Sequence, residues 1–342
     1  MQNMKILIDI KHPAQLNLFK GLAYELKQSG WNVTVCYLGR GKLPKIIERE
    51  YYDFDSIQVG ESHGSKWSIF WQGNVLRTIR FFSLIRKNKY NICVAASSAP
   101  LAFACYFSKT PIIQFYDDPE RKRINSINAF FSNKLFFPPI VKAEGKIAIF
   151  NCLKEWSYLS PSKFTANSNV LTEYNLEKYN YIFVREVSNK SFNYYDQQDA
   201  IISTFASEID SNTNVILSLE DKSYAGKYPK NWIILQEPVD DIHSLIYFAK
   251  LVLSSGDSMA REGAMLGVPS IYCGIRQMKA NEVLIREGAL THLPLKSGLD
   301  SINKYADAEF DESHQTNFRK HLESKWDNML DFMNTQINIY KK

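Results

Sequence analysis

The residues most suggestive of chemistry follow a short apolar segment, Leu251–Ser254, and read Ser-Gly-Asp-Ser before a run with helical spacing. Gly256 would let the backbone approach a ligand closely, because glycine has no Cβ. The N–H groups and the dipole at the start of the helix favour a phosphate, and the Ser258 hydroxyl could donate to it. Glu262 lies one turn further along the same helix face, where its carboxylate could accept hydrogen bonds from a ribose diol.

These residues also fit a structural role. Ser258 could be the N-cap of the helix, with Glu262 as a capping partner or a solvated acid. Asp257 places a negative charge beside the proposed phosphate site and weighs against it. Residue types and spacing leave both interpretations open.

Further candidates stand at the ends of other apolar segments. His12 follows Lys5–Ile10, and an imidazole at that point could act as a general base. Asp9, inside the same segment, could orient His12 or act as the base itself. The structural alternative for His12 is a hydrogen bond with the backbone. Arg185 ends Tyr179–Val184, and its guanidinium fork matches the oxygens of a diphosphate.

Two polar loops permit more than one interpretation. Residues 60–66 contain His63 and Lys66, which could close over an anion or belong to an ordinary surface loop. Asp117 and Glu120 follow another apolar segment. Carboxylates grouped in this way could bind a divalent metal ion or form a solvated acidic turn.

Alternating strand and helix patterns predict the elements that carry these residues. A buried strand over 5–10 is followed by helical spacing over 13–28 and a second strand over 31–37. This βαβ pattern repeats along the chain. A further helix is predicted over 198–209. The pattern is typical of α/β proteins with parallel sheets.

The same pattern predicts two domains. Its regularity loosens between 151 and 179 and then resumes, which places a boundary near residue 160. We therefore predict Rossmann-like domains over 1–160 and 161–342, the second including C-terminal helices. Ligands of such domains bind at the carboxyl ends of the strands, so a ligand-binding cleft between the domains is expected.

Composition excludes several classes of protein. The 342 residues are 45% hydrophobic and 23% charged, as in folded globular proteins. A formal net charge of +5 is too small for a dedicated nucleic-acid binder, so no nucleic-acid partner is expected. Five scattered cysteines without CxxC spacing predict neither a disulfide framework nor a zinc site. The lack of a signal-peptide core or an apolar run long enough to span a bilayer predicts a cytoplasmic protein.

The segment from Ser255 to Pro269 resembles the nucleotide-binding segment of GT-B-fold proteins. That segment occurs in the lipid-linked N-acetylglucosaminyltransferase MurG and in the non-hydrolysing UDP-N-acetylglucosamine 2-epimerases. The resemblance is closest to an uncharacterised family of MurG- and epimerase-like proteins, whose version reads Gly-Gly-Thr-Met-x-Arg-Glu-Ala-Ala-Leu-Leu-Gly-Thr-Pro. Asp257 stands here for the second glycine, and Ser258 for the threonine.

Other motifs extend this resemblance over about residues 5–288. Asp9–Lys20 resembles the opening Asp-Ile-x-His-Pro-x-His-Val-x-Phe-Phe-Lys of that family, with Gln15 in place of the second histidine. Phe115–Glu120 resembles its acidic Phe-x-Asp-x-Glu segment, and Tyr181–Arg185 resembles its Val-Val-Val-Arg. The ordered set of motifs is more specific than any one of them.

The resemblance implies a GT-B fold of two Rossmann-like domains, with a nucleotide-sugar donor on the C-terminal domain and an acceptor on the N-terminal domain. The residues implied to hold the nucleotide and its phosphates are Arg185, Ile242, Gly256, Asp257, Ser258, Met259 and Glu262. Those implied near the donor sugar are Arg276, Gln277, Lys279 and Asn281. Those implied elsewhere in the cleft are Gln15, His63, Lys66, Asp117 and Glu120. Because GT-B enzymes usually need no metal, neither a metal nor a cofactor is expected.

We therefore expect a glycosyltransferase that uses a nucleotide-diphosphate sugar, with UDP favoured, and a glycan or lipid-linked glycan acceptor in cell-surface polysaccharide synthesis. His12 is the expected catalytic base. The first alternative is a nucleotide-sugar 2-epimerase, whose candidate acids and bases are Asp9, Asp117, Glu120 and His243. The second is a non-catalytic nucleotide-binding or partner-binding protein, which the departures at Gln15 and Asp257 leave open.

The stretch 66–90 mixes aromatic side chains with arginines and lysines. Such an amphipathic segment could lie on the inner face of an anionic membrane, which would suit a lipid-linked acceptor. The favoured structural alternative is a core helix with a solvated basic face. Phe130–Phe131 and Phe136–Phe137 are further candidates for an apolar surface.

Overall fold

The computed structural model describes residues 4–61, 71–189, 196–236, 239–294, 302–305 and 308–341. The chain forms two compact units, the first of Met1–Tyr158 with Trp326–Lys342 and the second of Leu159–Lys325. The C-terminal segment, which the sequence patterns placed in the second domain, belongs instead to the first unit. Among the described residues, no helix is both long and apolar enough to cross a bilayer.

The first unit contains a seven-stranded parallel sheet. Its strands are β1 Lys5–Ile10, β2 Asn32–Gly39, β3 Asp55–Glu61, β4 Ile92–Ala95, β5 Ile112–Phe115, β6 Lys134–Phe137 and β7 Ile147–Ile149. Their order is β3-β2-β1-β4-β5-β6-β7. The order reverses between β1 and β4, which pair in register from Ile6 with Ile92 to Asp9 with Ala95. A crevice forms at the carboxyl ends of strands where such a reversal occurs.

Helices cover the sheets of both units. Those of the described residues include α1 Pro13–Gln28, α2 Leu43–Glu50, α3 Arg77–Asn88, α4 Ala99–Ser108, α5 Lys122–Phe131, α6 Trp156–Leu159, α7 Val170–Glu173, α8 Ile242–Tyr247, α9 Asp257–Met265, α10 Lys279–Arg286, α11 Glu312–Lys325 and α12 Met329–Asn338. The first has the bounds that the leucine spacing predicts. It ends before Gly30, whose φ of 83° is a left-handed conformation that suits glycine.

The last helix, α12, belongs to the first unit because it packs against α1 and the end of the first sheet. Asn334 donates a hydrogen bond to Glu25 of α1 at 2.5 Å. The ring of Phe332 lies edge-on to that of Phe136, with centroids 5.3 Å apart. A helix near the end of the chain thus completes a core formed by the first residues, a contact that local sequence patterns do not reveal.

The second unit contains a six-stranded parallel sheet. Its strands are β8 Tyr181–Glu186, β9 Asn214–Leu219, β10 Ile233–Ile234, β11 Leu251–Ser254, β12 Ser270–Tyr272 and β13 Leu290–His292. They lie in the order β10-β9-β8-β11-β12-β13, which reverses between β8 and β11. Both sheets therefore have the Rossmann-like arrangement that the alternating patterns predict.

The continuous helix predicted over 198–209 is wrong. The structure has two short 3₁₀ turns there, Ile202–Thr204 and Ala206–Glu208. Ala200 takes a φ of 53°, which interrupts a right-handed helix. The N–H of Ile202 donates at 2.8 Å to the buried carboxylate of Glu186, so tertiary contact replaces the helical hydrogen bond.

Candidate functional site

The carboxyl ends of β8 and β11 lie side by side at the point where the strand order of the second sheet reverses. The N–H of Ser255, just after β11, donates to the carbonyl of Arg185 at 2.9 Å. Helix α9 begins two residues later. The structure therefore brings Arg185 and the Ser-Gly-Asp-Ser turn together at one edge of the sheet.

The amino end of α9 begins at a glycine, a detail that sequence spacing left undecided. Gly256 occupies the N-cap position with a φ of −105°, and a glycine has no side chain with which to cap the helix. Ser258 is the second residue of the helix, so the structural alternative that made it the N-cap is wrong. The unused capping position favours an external acceptor such as a phosphate oxygen.

The negative charge of Asp257, beside the N-cap position of α9, is compensated by a cation. Its side chain is almost completely buried and accepts a hydrogen bond from Nη1 of Arg276 at 3.2 Å. Arg276 follows β12, so the ion pair joins two neighbouring loops at the carboxyl edge. The negative charge that weighed against a phosphate site is thus paired with a guanidinium.

Two serines and a glutamine shape the turn from inside. Ser254 Oγ accepts from the N–H of Gly256 at 3.1 Å and donates to its carbonyl at 2.6 Å. Ser255 Oγ accepts from the N–H of Val187 at 2.9 Å. Nε2 of the buried Gln197 donates to the carbonyl of Ser255 at 3.2 Å. The sequence analysis missed Gln197, since it lies far from the turn in the chain and in no recognisable motif.

Glu262 and the start of α8 face each other. The carboxylate of Glu262 is largely buried, and its Oε2 lies 3.6 Å from Nε2 of His243. Asp241 caps α8 by accepting from the N–H of Ser244 at 3.0 Å. Ile242, the residue implied to contact the base, is the first residue of α8. The predicted ribose and base contacts therefore lie next to each other.

Arg185 has protein partners at its predicted position. Its Nη1 donates to Ser218 Oγ at 2.9 Å, and its Nη2 lies 3.6 Å from Oε2 of Glu220. Both partners belong to β9 or follow it. A diphosphate at this edge would therefore have to compete with Glu220 for the guanidinium.

The donor-sugar residues implied by the resemblance are not all available to a ligand. Gln277 and Lys279 are exposed, and Arg276 is partly exposed. Asn281 is buried, and its Oδ1 accepts from Nη1 of the buried Arg261 at 2.9 Å. Asn281 therefore ties α9 to α10 and does not line a ligand site, because its position on the inner face of α10 directs it into the protein.

His12 lies at the carboxyl end of β1, as predicted, and forms the N-cap of α1. Its Nδ1 accepts a hydrogen bond from the N–H of Ala14 at 3.2 Å, while the residue as a whole is exposed. A neutral imidazole that accepts through Nδ1 carries its proton on Nε2. This arrangement suits hydrogen-bond donation from Nε2. The predicted role of base would require the ring to leave the cap.

Asp9 is placed for a structural role instead of the predicted catalytic one. Its side chain and that of Arg77 are fully buried, and the two form an ion pair. Its second oxygen accepts from Ser98 Oγ at 2.6 Å. Since both oxygens are bound to buried groups, Asp9 neither orients His12 nor presents a free oxygen to a ligand.

Lys11 is the residue of this edge that the sequence analysis missed. Its ammonium donates to the carbonyl of Ser97, which has a φ of 60° and lies two residues after β4. Burial, with a contribution from Arg77, lowers the pKa of Lys11 to about 8. Lys11 is two residues after Asp9, and alternate residues of an extended segment share a face. The sequence therefore offered a signal that Lys11 lies on the same face as Asp9.

Gln15 links the two strands at the reversal of the first sheet. Its Oε1 accepts from the N–H of Lys11 at 2.8 Å, and its Nε2 donates to the carbonyl of Ala96 at 2.8 Å. Both polar atoms of the amide thus bind the backbone. The glutamine that replaces the family's histidine holds the ends of β1 and β4 together.

The acids after β5 are paired with cations. Asp117 forms an ion pair with Lys154, and Asp118 forms one with Arg121 at 3.1 Å. Glu120 is exposed. Within the described parts of the chain, no group of three histidine, cysteine or acidic side chains is arranged to hold a metal ion.

The polar loop and the apolar segments predicted within and after residues 60–90 have different outcomes. His63 and Lys66 lie outside the described residues. In α3 the ring of Phe81 is fully buried, which agrees with the core-helix interpretation of that part. Phe136 and Phe137 are buried in β6, so they form no apolar surface.

Residues 4–331 match the family described as "Protein of unknown function (DUF354)". The chain belongs to this family. A curated relative, an uncharacterised protein of Methanocaldococcus jannaschii, is 23% identical over 311 residues, which cover 85% of this chain and 88% of the relative. Membership agrees with the resemblance in the motifs, and neither description names a reaction.

Solved structures of similar fold cover nearly all of the chain. A Listeria monocytogenes protein to which UDP-N-acetylglucosamine 2-epimerase activity has been attributed has a TM-score of 0.72 at 12% identity, over 99% of this chain and 96% of its own. S. aureus MnaA, solved with UDP, has a TM-score of 0.70 at 12% identity, over 98% and 96%. The glycosyltransferase VinC, solved with dTDP, has a TM-score of 0.67 at 10% identity, over 99% and 100%. These similarities establish the predicted GT-B fold.

Proposed function

We propose that this protein is a glycosyltransferase that uses a nucleotide-diphosphate sugar, with UDP as the favoured nucleotide. The observation that carries the proposal is the glycine N-cap of α9, which offers no side chain to the first N–H groups of the helix and follows β11 beside the end of β8. A helix start at a strand-order reversal is suited to a phosphate group. The solved structures with UDP and dTDP support this choice of ligand.

The charges around α9 support a diphosphate leaving group. Arg276 is held against Asp257, the first residue of the helix, and Arg185 is the second-last residue of the adjacent strand. As the bond from the sugar to the diphosphate breaks, the diphosphate gains negative charge. Helix N–H groups and guanidinium groups that are already oriented stabilise that charge without reorganisation.

The ribose and base are assigned to the opposite side of the helix start. Glu262 presents a carboxylate one turn into α9, close to His243 at the beginning of α8. Carboxylate oxygens accept hydrogen bonds from both hydroxyls of a ribose. The backbone at Ile242 would contact the base, so that α8 and α9 together hold the nucleoside.

The first unit is assigned to the acceptor, a glycan or lipid-linked glycan of cell-surface polysaccharide synthesis. The acceptor hydroxyl would attack the anomeric carbon of the sugar, lose its proton and displace the nucleoside diphosphate. Lys11 and His12 are the groups at the carboxyl end of β1 that can take or donate a proton. Lys11 in its neutral form, or His12 with its ring out of the capping position, would take the proton of the acceptor hydroxyl.

A nucleotide-sugar 2-epimerase is the second candidate, because the epimerase structures match the chain over nearly its full length. Its reaction needs acids and bases at the sugar C2. Asp9 is bound inside the first unit, and Asp117 is paired with Lys154, which leaves few groups for that task. Incubation with a UDP-sugar alone distinguishes the two, since only the epimerase inverts C2 without an acceptor.

Thermal unfolding with UDP, GDP, ADP and CMP tests the nucleotide assignment. UDP at about 100 times its dissociation constant stabilises the folded state by about 2.7 kcal/mol, which corresponds to about 5 to 10 °C. The site variant is Glu262→Ala, and the matched control is Glu282→Ala on the exposed face of α10. We expect the UDP-dependent shift to persist in the control and to fall in the site variant.

Two results would contradict the proposal. If no nucleotide raises the melting temperature of the parent protein, the amino end of α9 does not bind a nucleoside diphosphate. If UDP stabilises the parent and Glu262→Ala equally, nucleotide binding occurs elsewhere. A UDP response without any turnover over a panel of sugars and acceptors would favour the non-catalytic alternative.

A further inference from the structure

Helices α4 and α5 expose a group of large apolar side chains. We call this group the α4–α5 patch, and its members are Tyr106, Phe107, Ile124, Ile127 and Phe130. Phe107 is 66% exposed and Phe130 is 63% exposed. Scattered apolar residues are normal on a protein surface, whereas a contiguous group of them marks an interaction site.

The members of the patch are contiguous across the two helices. The ring of Tyr106 lies 5.5 Å from that of Phe107 and 6.1 Å from that of Phe130, measured between centroids. Beneath them, Phe131 packs against Phe103 at 4.2 Å and anchors the outer rings. The exposed rings therefore form one supported surface that spans α4 and α5.

Exposed cations surround this surface. Lys109 follows Phe107 at the end of α4, and Arg123 lies one turn from Ile127 on α5. Lys146 donates to the carbonyl of Phe130 at 2.8 Å, which places its ammonium at the edge of the patch. A lysine beside each exposed phenylalanine gives the apolar surface a positive rim.

The charge of the helices on this face is one-sided. Helices α3, α4 and α5 contain no aspartate or glutamate along their lengths. The helices that pack near the amino end of the chain are mixed in charge, and their acids are Glu25, Glu48, Glu50 and Asp331. The absence of acids is therefore particular to the layer formed by α3, α4 and α5 and is not a consequence of the overall charge.

We propose that the α4–α5 patch docks on an anionic lipid surface, with its rings among the lipid chains and its cations at the headgroups. Aromatic residues with a basic rim match both parts of such a surface. A second copy of the chain fits less well, because a symmetric contact would bring the positive rims together. The inference rests on this surface alone and is independent of the nucleotide site.

Vesicle flotation tests the inference with the full-length protein. The probes are vesicles of phosphatidylcholine with and without phosphatidylglycerol. The patch variant is Phe107→Ser/Phe130→Ser, and the rim variant is Lys109→Glu/Arg123→Glu. The matched control is Tyr52→Ser, since Tyr52 is 75% exposed in the first unit outside this patch.

We expect the parent and the control to float with phosphatidylglycerol vesicles. The affinity of the patch variant and of the rim variant for these vesicles should be lower by about tenfold or more. Added salt should release the parent, because it screens the cations. Failure of the parent to bind anionic vesicles, or equal binding by the patch variant, would overturn the inference. So would sedimentation showing that the parent is a dimer which the patch variant dissociates.

UDP-dependent thermal stabilisation serves as a separate readout. It checks that each variant is folded, because an unfolded protein gives no cooperative transition. If UDP stabilises the parent and flotation fails, only the membrane inference is lost. If flotation succeeds without any nucleotide response, only the proposed function is lost.

Discussion

The buried ion pair between Asp9 and Arg77 provides the most direct test of how the first unit is built. Both side chains are fully buried, and Arg77 also donates through Nε to the carbonyl of Val59 at 2.7 Å. Replacing Arg77 by methionine keeps the apolar stem and leaves the Asp9 carboxylate buried without its cation. Removing one partner of a buried pair costs about 3 to 5 kcal/mol.

That free energy translates into a large change in thermal stability. For a unit of this size, each kcal/mol lowers the melting temperature by about 2 to 4 °C. Arg77→Met should therefore lower it by about 6 to 20 °C in differential scanning calorimetry. The double variant Asp9→Asn/Arg77→Met should be more stable than Arg77→Met, because it no longer buries an unpaired carboxylate.

A surface variant provides the control for this experiment. Asp53 lies 3.6 Å from Lys27 in an ion pair whose side chains are about half exposed, so Asp53→Asn should cost less than about 1 kcal/mol. If Arg77→Met melts within about 2 °C of Asp53→Asn, the buried pair does not stabilise the unit as argued. Asp9→Asn should keep the UDP response, since Asp9 belongs to the first unit.

Three further predictions follow from individual contacts. A Cβ at Gly263 would lie 2.6 Å from Ser270 Oγ, so Gly263→Ala should lower the free energy of unfolding by about 1 to 3 kcal/mol in urea, whereas Gly226→Ala, with open space, should not. Folding lowers the pKa of Lys11 from 10.5 to about 8. The unfolded state therefore binds more protons between these values, and stability relative to Lys11→Met should rise by up to about 3 kcal/mol from pH 8 to 10.5 in urea unfolding at each pH. Arg276→Met should weaken UDP binding in calorimetric titration, because it removes the guanidinium that lies beside Asp257 at the proposed phosphate site; unchanged affinity would remove Arg276 from the site.

Local patterns were sufficient for much of the fold. The spacing of leucines in α1 and the apolar runs of β1, β8 and β11 predicted these elements closely, because each side chain's burial repeats with the period of its own element. The strand order then follows from the preference of parallel sheets for βαβ connections. The predicted helix over 198–209 failed because Glu186, distant in the sequence, binds the N–H of Ile202.

Some features of the candidate site were likewise predictable from the sequence, and others were not. The sequence determined that a turn, a helix start and an acid one turn later follow β11, since these are adjacent in the chain. Only the tertiary structure decided that Gly256 and not Ser258 holds the N-cap position, that Arg276 neutralises Asp257, and that Asn281 faces inward. These outcomes depend on partners brought together by packing.

The sequence by itself determined which residue types stand at the carboxyl ends of the strands. The tertiary structure decided which of them remain available there. Asp9 forms a buried ion pair with Arg77 and is not available at that edge. The Nδ1 of His12 accepts a hydrogen bond from the N–H of Ala14. The physical reason is that a buried charge must be paired and that the start of a helix tends to be capped. The group that pairs with the charge or caps the helix is one that the folded chain brings close to it.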